Sequence, residues 1–175
     1  MSRTGLQLLY PFFKGNSLES EFGFVNYYHC HPINRLLHII TLPFLIFSLL
    51  SITYMIDYRL SLLFYVVYCT VIFIIDIKSG VAFLILFALI FGPAKIFSSQ
   101  GILTIFYGLL IILTALIIQG IGHYIFQKSA PAFRLFEAIF ITPTFLMMYL
   151  ITNHNETFWN NVKNETNKWK QILKE

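Results

Sequence analysis

The sequence predicts an all-α polytopic transmembrane helical bundle of about five spans, with four as the alternative, and an N-terminal interfacial helix. Three observations predict it. Hydrophobic residues fill 57% of the 175 positions. Charged residues fill 11%, against about 25% in soluble domains, which is too little charge to coat a globule. The apolar residues also gather into five runs separated by short polar breaks, a pattern of crossings and loops. The formal charge of +4, carried partly by the tail after Asn155, suits anionic lipid head groups rather than nucleic acid. Cys30 and Cys69 show no pairing pattern, so no disulfide framework is indicated.

The chain divides into an N-terminal interfacial segment (1–35), a transmembrane bundle (36–153) and a polar C-terminal tail (154–175). Within residues 1–15, Leu6–Leu9 and Tyr10-Pro11-Phe12-Phe13 are too short and too interrupted for a signal peptide and read as interfacial. Asn16-Ser17 followed by Glu19 is a helix N-cap signal with an acidic first turn, and Phe22 and Val25 come next at helical spacing. Ile39–Ile56 is uncharged and contains Pro43, a potential kink. Leu60–Ile75, Ser79–Ala94 and Ala138–Asn153 fall slightly short of the roughly 17 residues of a straight crossing. Either flanking residues snorkel, giving five spans, or one pair forms a re-entrant hairpin. Gly101–His123 is the longest run. The Asn/Lys/Glu-rich tail reads as one amphipathic or loosely ordered segment.

Three of the five histidines fall within ten residues, in Tyr28-His29-Cys30-His31-Pro32-Ile33-Asn34-Arg35-Leu36-Leu37-His38. Pro32 suits the first turn of a helix and biases His31 away from helical geometry, so His29 and His31 lie on the loop leading in. Asn34 and His38 are four apart and share one helix face. The stretch fits both a metal-binding cluster of neutral imidazoles and a set of interfacial polar residues at a helix start. The second constellation, Gln119-Gly120-Ile121-Gly122-His123 through Gln127, puts a histidine at the end of the fourth run with a glutamine one turn to either side. Gly120 and Gly122 are expected to permit close helix approach. If the first cluster lies on face A of the membrane, four crossings return the chain to face A at His123. Asp76, after two crossings, is the nearest carboxylate on that face, although its preferred reading is a charge marking a helix end. His154 comes after five crossings and falls on face B.

Two motifs together carry a resemblance. Tyr-His-x-x-Pro-x-Asn-x-x-x-His-x-x-x-x-Pro (Tyr28 to Pro43) and Gln-x-x-Gly-His-x-x-Phe-x-Lys-x-x-Pro-Ala (Gln119 to Ala132) resemble the fungal 2-hydroxy fatty acid dioxygenase family over about residues 20–152. The resemblance implies an integral enzyme of the endoplasmic reticulum that uses Fe2+ and dioxygen to shorten a 2-hydroxy fatty acid by one carbon, in degradation of the phytosphingosine backbone. It implies His29, His38 and His123 as catalytic metal ligands, with Asn34 and Gln119 in support. Two positions depart from the family: His31 stands where Asn is common, and Gln127 where Glu is common. His31 is thereby a candidate extra ligand, and Gln127, unable to act as a base, a supporting residue.

The substrate's carboxylate and hydroxyl are a natural chelate, and Lys128 or Arg134, both on face A, could pair with the carboxylate. Two non-enzymatic readings stand beside this one: a small transporter, and a lipid-binding or structural membrane protein. A transporter calls for charges or broken helices near the bilayer centre, absent here apart from the glycines. With five spans the basic residues divide six to six between the faces, and short loops favour face A as cytosolic. Asn155-Glu-Thr and Asn164-Glu-Thr are glycosylation acceptor motifs, then expected on face B.

Overall fold

The computed structural model describes residues 6–131, 134–151 and 156–173, all of them helix, turn or irregular chain. Arg3, Ala132, His154, Asn155 and Lys174 lie outside the described residues. Helix α1 (Leu18–Tyr28) begins where Ser17 Oγ accepts the Ser20 N–H at 3.1 Å, with Glu19 and Glu21 in the dipole-favoured first turn. Helix α2 (Pro32–Ile56) starts on Pro32 and continues as one helix through Pro43.

Single aspartates make the next two reversals. Asp57 is the sole residue between α2 and α3 (Tyr58–Ile75), and Asp76 the sole residue between α3 and α4 (Ile77–Ser98). Each has extended backbone, which ends the helix before it. Each carboxylate then accepts a backbone N–H of the next helix, from Arg59 and Ser79 respectively, both at 2.8 Å. These caps lengthen the two short apolar runs into helices of 18 and 22 residues, long enough to cross without a re-entrant hairpin. Gly101, at φ +62°, makes the turn into α5 (Ile102–Ile121), which runs on into a π-helical turn, Gly122–Gln127. A second π-helical turn, Glu137–Ile141, leads into α6 (Thr142–Ile151), and α7 (Glu156–Ile172) completes the described chain.

Four helices are long and apolar enough to cross a membrane: α2, α3, α4, and α5 with its π-turn. The expected fifth span is instead the shorter helix Glu137–Ile151. The docking of α7 explains the difference. Trp169 Nε1 on α7 donates to Ser20 O at 2.9 Å, and Asn26 Nδ2 on α1 donates to Thr166 Oγ1 at 3.0 Å. Since α1 adjoins the start of α2, α7 sits at the same face, and an even number of crossings separates them. The tail therefore lies on the histidine face as an ordered helix rather than on face B, and Asn164 lies there with it. Eight of the ten described basic residues share that face (Lys14, Arg35, Lys78, Lys128, Arg134, Lys163, Lys168, Lys170), leaving Arg59 and Lys95 opposite.

Helix α2 is the hub, packed against α3, α4 and α5. Close approach uses small residues, as lipid-embedded helices do. A Cβ on Gly108 of α5 would stand 2.8 Å from Ile52 of α2. The bundle core is Ile46, Leu50, Tyr68, Ile72, Phe83 and Phe87, while Ile102 (75% exposed), Leu89 (70%) and Phe106 (62%) face outward as lipid-facing side chains do. At the histidine face a second core joins α1, α6, α7 and the end of α3 through Phe22, Val25, Ile75, Phe145 and Val162. With four crossings, tags at the N- and C-terminus of the chain should be digested from the same side of sealed vesicles. Protection of one while the other is cleaved would restore the fifth crossing.

Candidate metal centre

The centre assembles from three separate segments. His29 caps the end of α1, His38 lies on α2, and His123 sits in the π-turn after α5. All three are buried, at 5%, 9% and 3% exposure, and their ligating nitrogens lie within 4.8 Å of one another. His38 Nε2 and His123 Nε2 are 3.2 Å apart. His29 Nδ1 meets Val25 O at 2.9 Å, so Nδ1 carries the proton and Nε2 presents a lone pair with no protein partner. Burial pushes the His29 imidazolium pKa down to about 3, with the neighbouring His123 and Arg35 adding to the shift, so the ring is neutral at physiological pH.

These residues fit a transition metal. Neutral imidazole is a favoured ligand, and the second ring nitrogen of a metal-bound histidine usually donates to a carbonyl, as His29 does to Val25. Two imidazoles on one ion at about 2.0–2.1 Å, subtending between a right and a tetrahedral angle, would hold their nitrogens roughly 2.8–3.4 Å apart. The His38–His123 separation falls in that range. Without a metal, the same two nitrogens can share one N–H···N hydrogen bond.

The supporting residues named from sequence fall into different places. Asn34, wholly buried, donates through Nδ2 to Tyr28 O at 3.0 Å, and its Oδ1 lies where a Cβ on Gly122 would be, 2.3 Å away. Gln119 Nε2 donates to Thr41 Oγ1 at 2.8 Å, tying α5 to α2 one turn from His38 and His123. Gln127 accepts the His31 N–H at 2.8 Å and donates to Tyr27 O at 3.1 Å, so it pins both sides of His29. Arg35 completes the clamp by donating to His29 O and Cys30 O.

The remaining residues named from sequence lie elsewhere. His31 is not with the other three histidines. Its Nδ1 accepts the Ile33 N–H as the cap of α2, and its ring lies against Phe126. Asp76 is occupied in capping α4. Gly122 does make a close approach, but a Cβ on Gly120 would meet nothing within 4 Å, because Gly120 borders a cavity.

That cavity, of about 330 Å³, lies between α5 and α6 over α2. Its polar end holds the three histidines, Gln119, Arg134 and Glu137, and its apolar arm holds Leu42, Leu45, Leu116 and Leu146. Lys128 is exposed and outside the lining, whereas Arg134 lines it. Glu21 and Glu137 belong to the site without any motif to mark them. Glu21 is fully buried, accepts the N–H groups of Lys14 and Gly15 at 2.7 and 3.1 Å, and pairs with Arg134 Nη1 at 3.1 Å. Glu137 is 3% exposed, and burial, with Glu21 next in effect, raises its pKa to about 8.

These contacts can be tested by substitution. Gln127→Ala removes three hydrogen bonds to the His29 loop, those with the His31 N–H, Tyr27 O and Cys30 Sγ, and should cost about 1–3 kcal/mol of stability, while Gln127→Glu keeps the His31 contact and should leave metal content intact. Thermal unfolding in detergent and elemental analysis check both. For Glu137, the folded state holds a proton that the unfolded state releases between the ordinary value of 4.5 and about 8, so stability falls as pH rises through that window. Glu137→Gln, which cannot ionise, should therefore raise the unfolding temperature by several degrees near pH 8 and little near pH 5. Equal shifts at both would contradict the protonated carboxyl.

Residues 16–155 match the family described as Mpo1-like, 2-hydroxy-palmitic acid dioxygenase Mpo1-like. A relative from Saccharomyces cerevisiae, 2-hydroxy-palmitic acid dioxygenase MPO1, is 31% identical over 143 residues, covering 74% of this chain and 77% of its own. No solved structure matches the chain. The matched span takes in α1, both histidine motifs, all four long helices and α6, and the chain belongs to the Mpo1-like family.

Proposed function

We propose that this chain is an iron(II)-dependent dioxygenase of the endoplasmic reticulum membrane that removes one carbon from a 2-hydroxy long-chain fatty acid, in the degradation of the phytosphingosine backbone. The observation that carries the reading is the convergence of three buried histidines at the polar end of an apolar cavity. Family membership and the printed activity of the yeast relative support the substrate class. The excess of basic residues on the histidine face supports a site facing the cytosol.

His29, His38 and His123 would hold the metal, and Fe2+ bound there would supply the activation of dioxygen. The chain's own residues do the rest. The Val25 carbonyl fixes the His29 tautomer, and Gln127 and Arg35 hold its loop. Arg134, already paired with Glu21, lines the polar end where the substrate carboxylate would sit, and Leu42, Leu45, Leu116 and Leu146 would receive the acyl tail away from water. The overall change balances as one 2-hydroxy acid and one dioxygen giving the acid one carbon shorter, carbon dioxide and water. Gln127, bonded to the backbone on both sides of His29, serves as a staple rather than a base.

Anaerobically purified protein should contain stoichiometric iron that is lost when all three histidines are replaced by Ala. In iron-supplied membranes, 2-hydroxy C16 acid should give C15 acid with the intact chain and not with His123→Ala, as read by mass spectrometry. Iron that survives the triple replacement would overturn the ligand set. Equal conversion by both proteins, or none by an iron-replete intact sample, would favour a non-enzymatic lipid-binding role.

A further inference from the structure

We propose that Glu137 positions the head of the substrate, its carboxyl group donating a hydrogen bond to the carboxylate of the bound 2-hydroxy acid beside the Arg134 guanidinium. This role rests on the proposed reaction and adds to it the residue that recognises a free acid. Its basis is a pair of buried carboxylates competing for one guanidinium. Glu21 wins that competition, since Arg134 Nη1 stands 3.1 Å from Glu21 Oε1 but 3.6 Å from Glu137 Oε2. The other arm of Arg134 is also committed, with Nη2 donating to Phe12 O at 2.9 Å. Glu21 is satisfied on every side, while Glu137 Oε2 is wholly buried with no hydrogen-bond partner.

A buried carboxyl without a full counter-charge keeps its proton, and a protonated carboxyl is a donor as well as an acceptor. Glu137 lines the same cavity as the three histidines. What it lacks is an anion to donate to, which the substrate head supplies. Placement along the helix agrees. Ala138, Thr142 and Leu146 continue the cavity lining from Glu137 towards the apolar arm. From Glu137 to Leu146 is roughly 13 Å of helix, room for the first part of an acyl chain running parallel to α6. Glu137 also opens a π-helical turn, as His123 lies in one, and such turns frequently mark functional sites.

The test is anaerobic equilibrium binding of 2-hydroxyhexadecanoic acid and of its methyl ester to the purified holoprotein, alongside iron content and steady-state kinetics. Glu137→Met and Glu137→Ala remove the donor. Each should weaken acid binding and raise its KM by about tenfold or more, with kcat, iron content and ester binding little changed. Glu137→Gln keeps an N–H donor and should restore acid binding to within about threefold of wild type. Unchanged acid binding in the Met and Ala variants would overturn the proposal. So would equal loss of acid and ester, which would mark a purely structural role, or loss of iron in all three variants, which would mark a metal ligand. If the wild-type protein binds neither compound, the proposed reaction itself fails, a result distinct from any of these.

Discussion

The contact on which the site depends is the one between Asn34 and Gly122. Asn34 is wholly buried, and any Cβ at position 122 would lie 2.3 Å from its Oδ1. The absence of a side chain on Gly122 therefore lets α2 and the π-turn meet at backbone distance, while Asn34 Nδ2 reaches back to Tyr28 O. One amide thus holds three segments together. His29 adjoins Tyr28, His38 lies one turn beyond Asn34, and His123 adjoins Gly122. Moving any one segment would separate imidazoles that come from distant parts of the chain.

Much of this is legible from residue type and spacing. The parity of crossings puts His29, His38 and His123 on one face, and that inference needs only the first four runs. The fifth run is ambiguous because an apolar stretch beside α4 and one beside lipid have the same composition; the docking of α7 on α1 distinguishes them. The tail's amphipathic pattern is visible in its residues, but its partner is not. Gly120 and Gly122 are likewise identical as residues, and only the structure separates one that admits Asn34 from one that borders a cavity. Glu21 and Glu137 carry no signal of their own, because a lone acid at a helix start ordinarily marks a boundary. Their significance lies in sharing Arg134, a partnership between residues on remote segments of the chain.

Proteins rarely leave buried polar atoms unpaired, since each costs about 1–3 kcal/mol. Among the described residues, seven buried side-chain nitrogens or oxygens lack a hydrogen-bond partner, and four of them belong to His29, Asn34, His123 and Glu137. Three of those four, on His29, His123 and Glu137, belong to side chains that line one cavity. Together they describe a surface shaped for something polar to complete it. The surrounding clamps from Arg35, Gln127 and Gln119 are bonded across segments, so the unsatisfied atoms are held rigidly in place rather than free to relax towards one another.

The position of the cavity bears on how an amphiphile reaches it. Helix α5 leans on α2 and the cavity lies between α5 and α6, an arrangement that in the proposed reading lets an amphiphile enter sideways from lipid. A long-chain acid leaving the bilayer would expose its tail to water at roughly 0.8 kcal/mol per methylene, on the order of 10 kcal/mol for a C16 chain. Lateral access between α5 and α6 avoids that cost. It also keeps the carboxylate at head-group depth, the level at which Arg134 and the histidines stand at the membrane end of their helices. A chain longer than the apolar arm can extend into lipid, so the geometry selects for the chemistry of the head more stringently than for tail length. In the proposed reaction, discrimination therefore falls to the polar end, where the substrate must match three histidines, one guanidinium and one carboxyl at once.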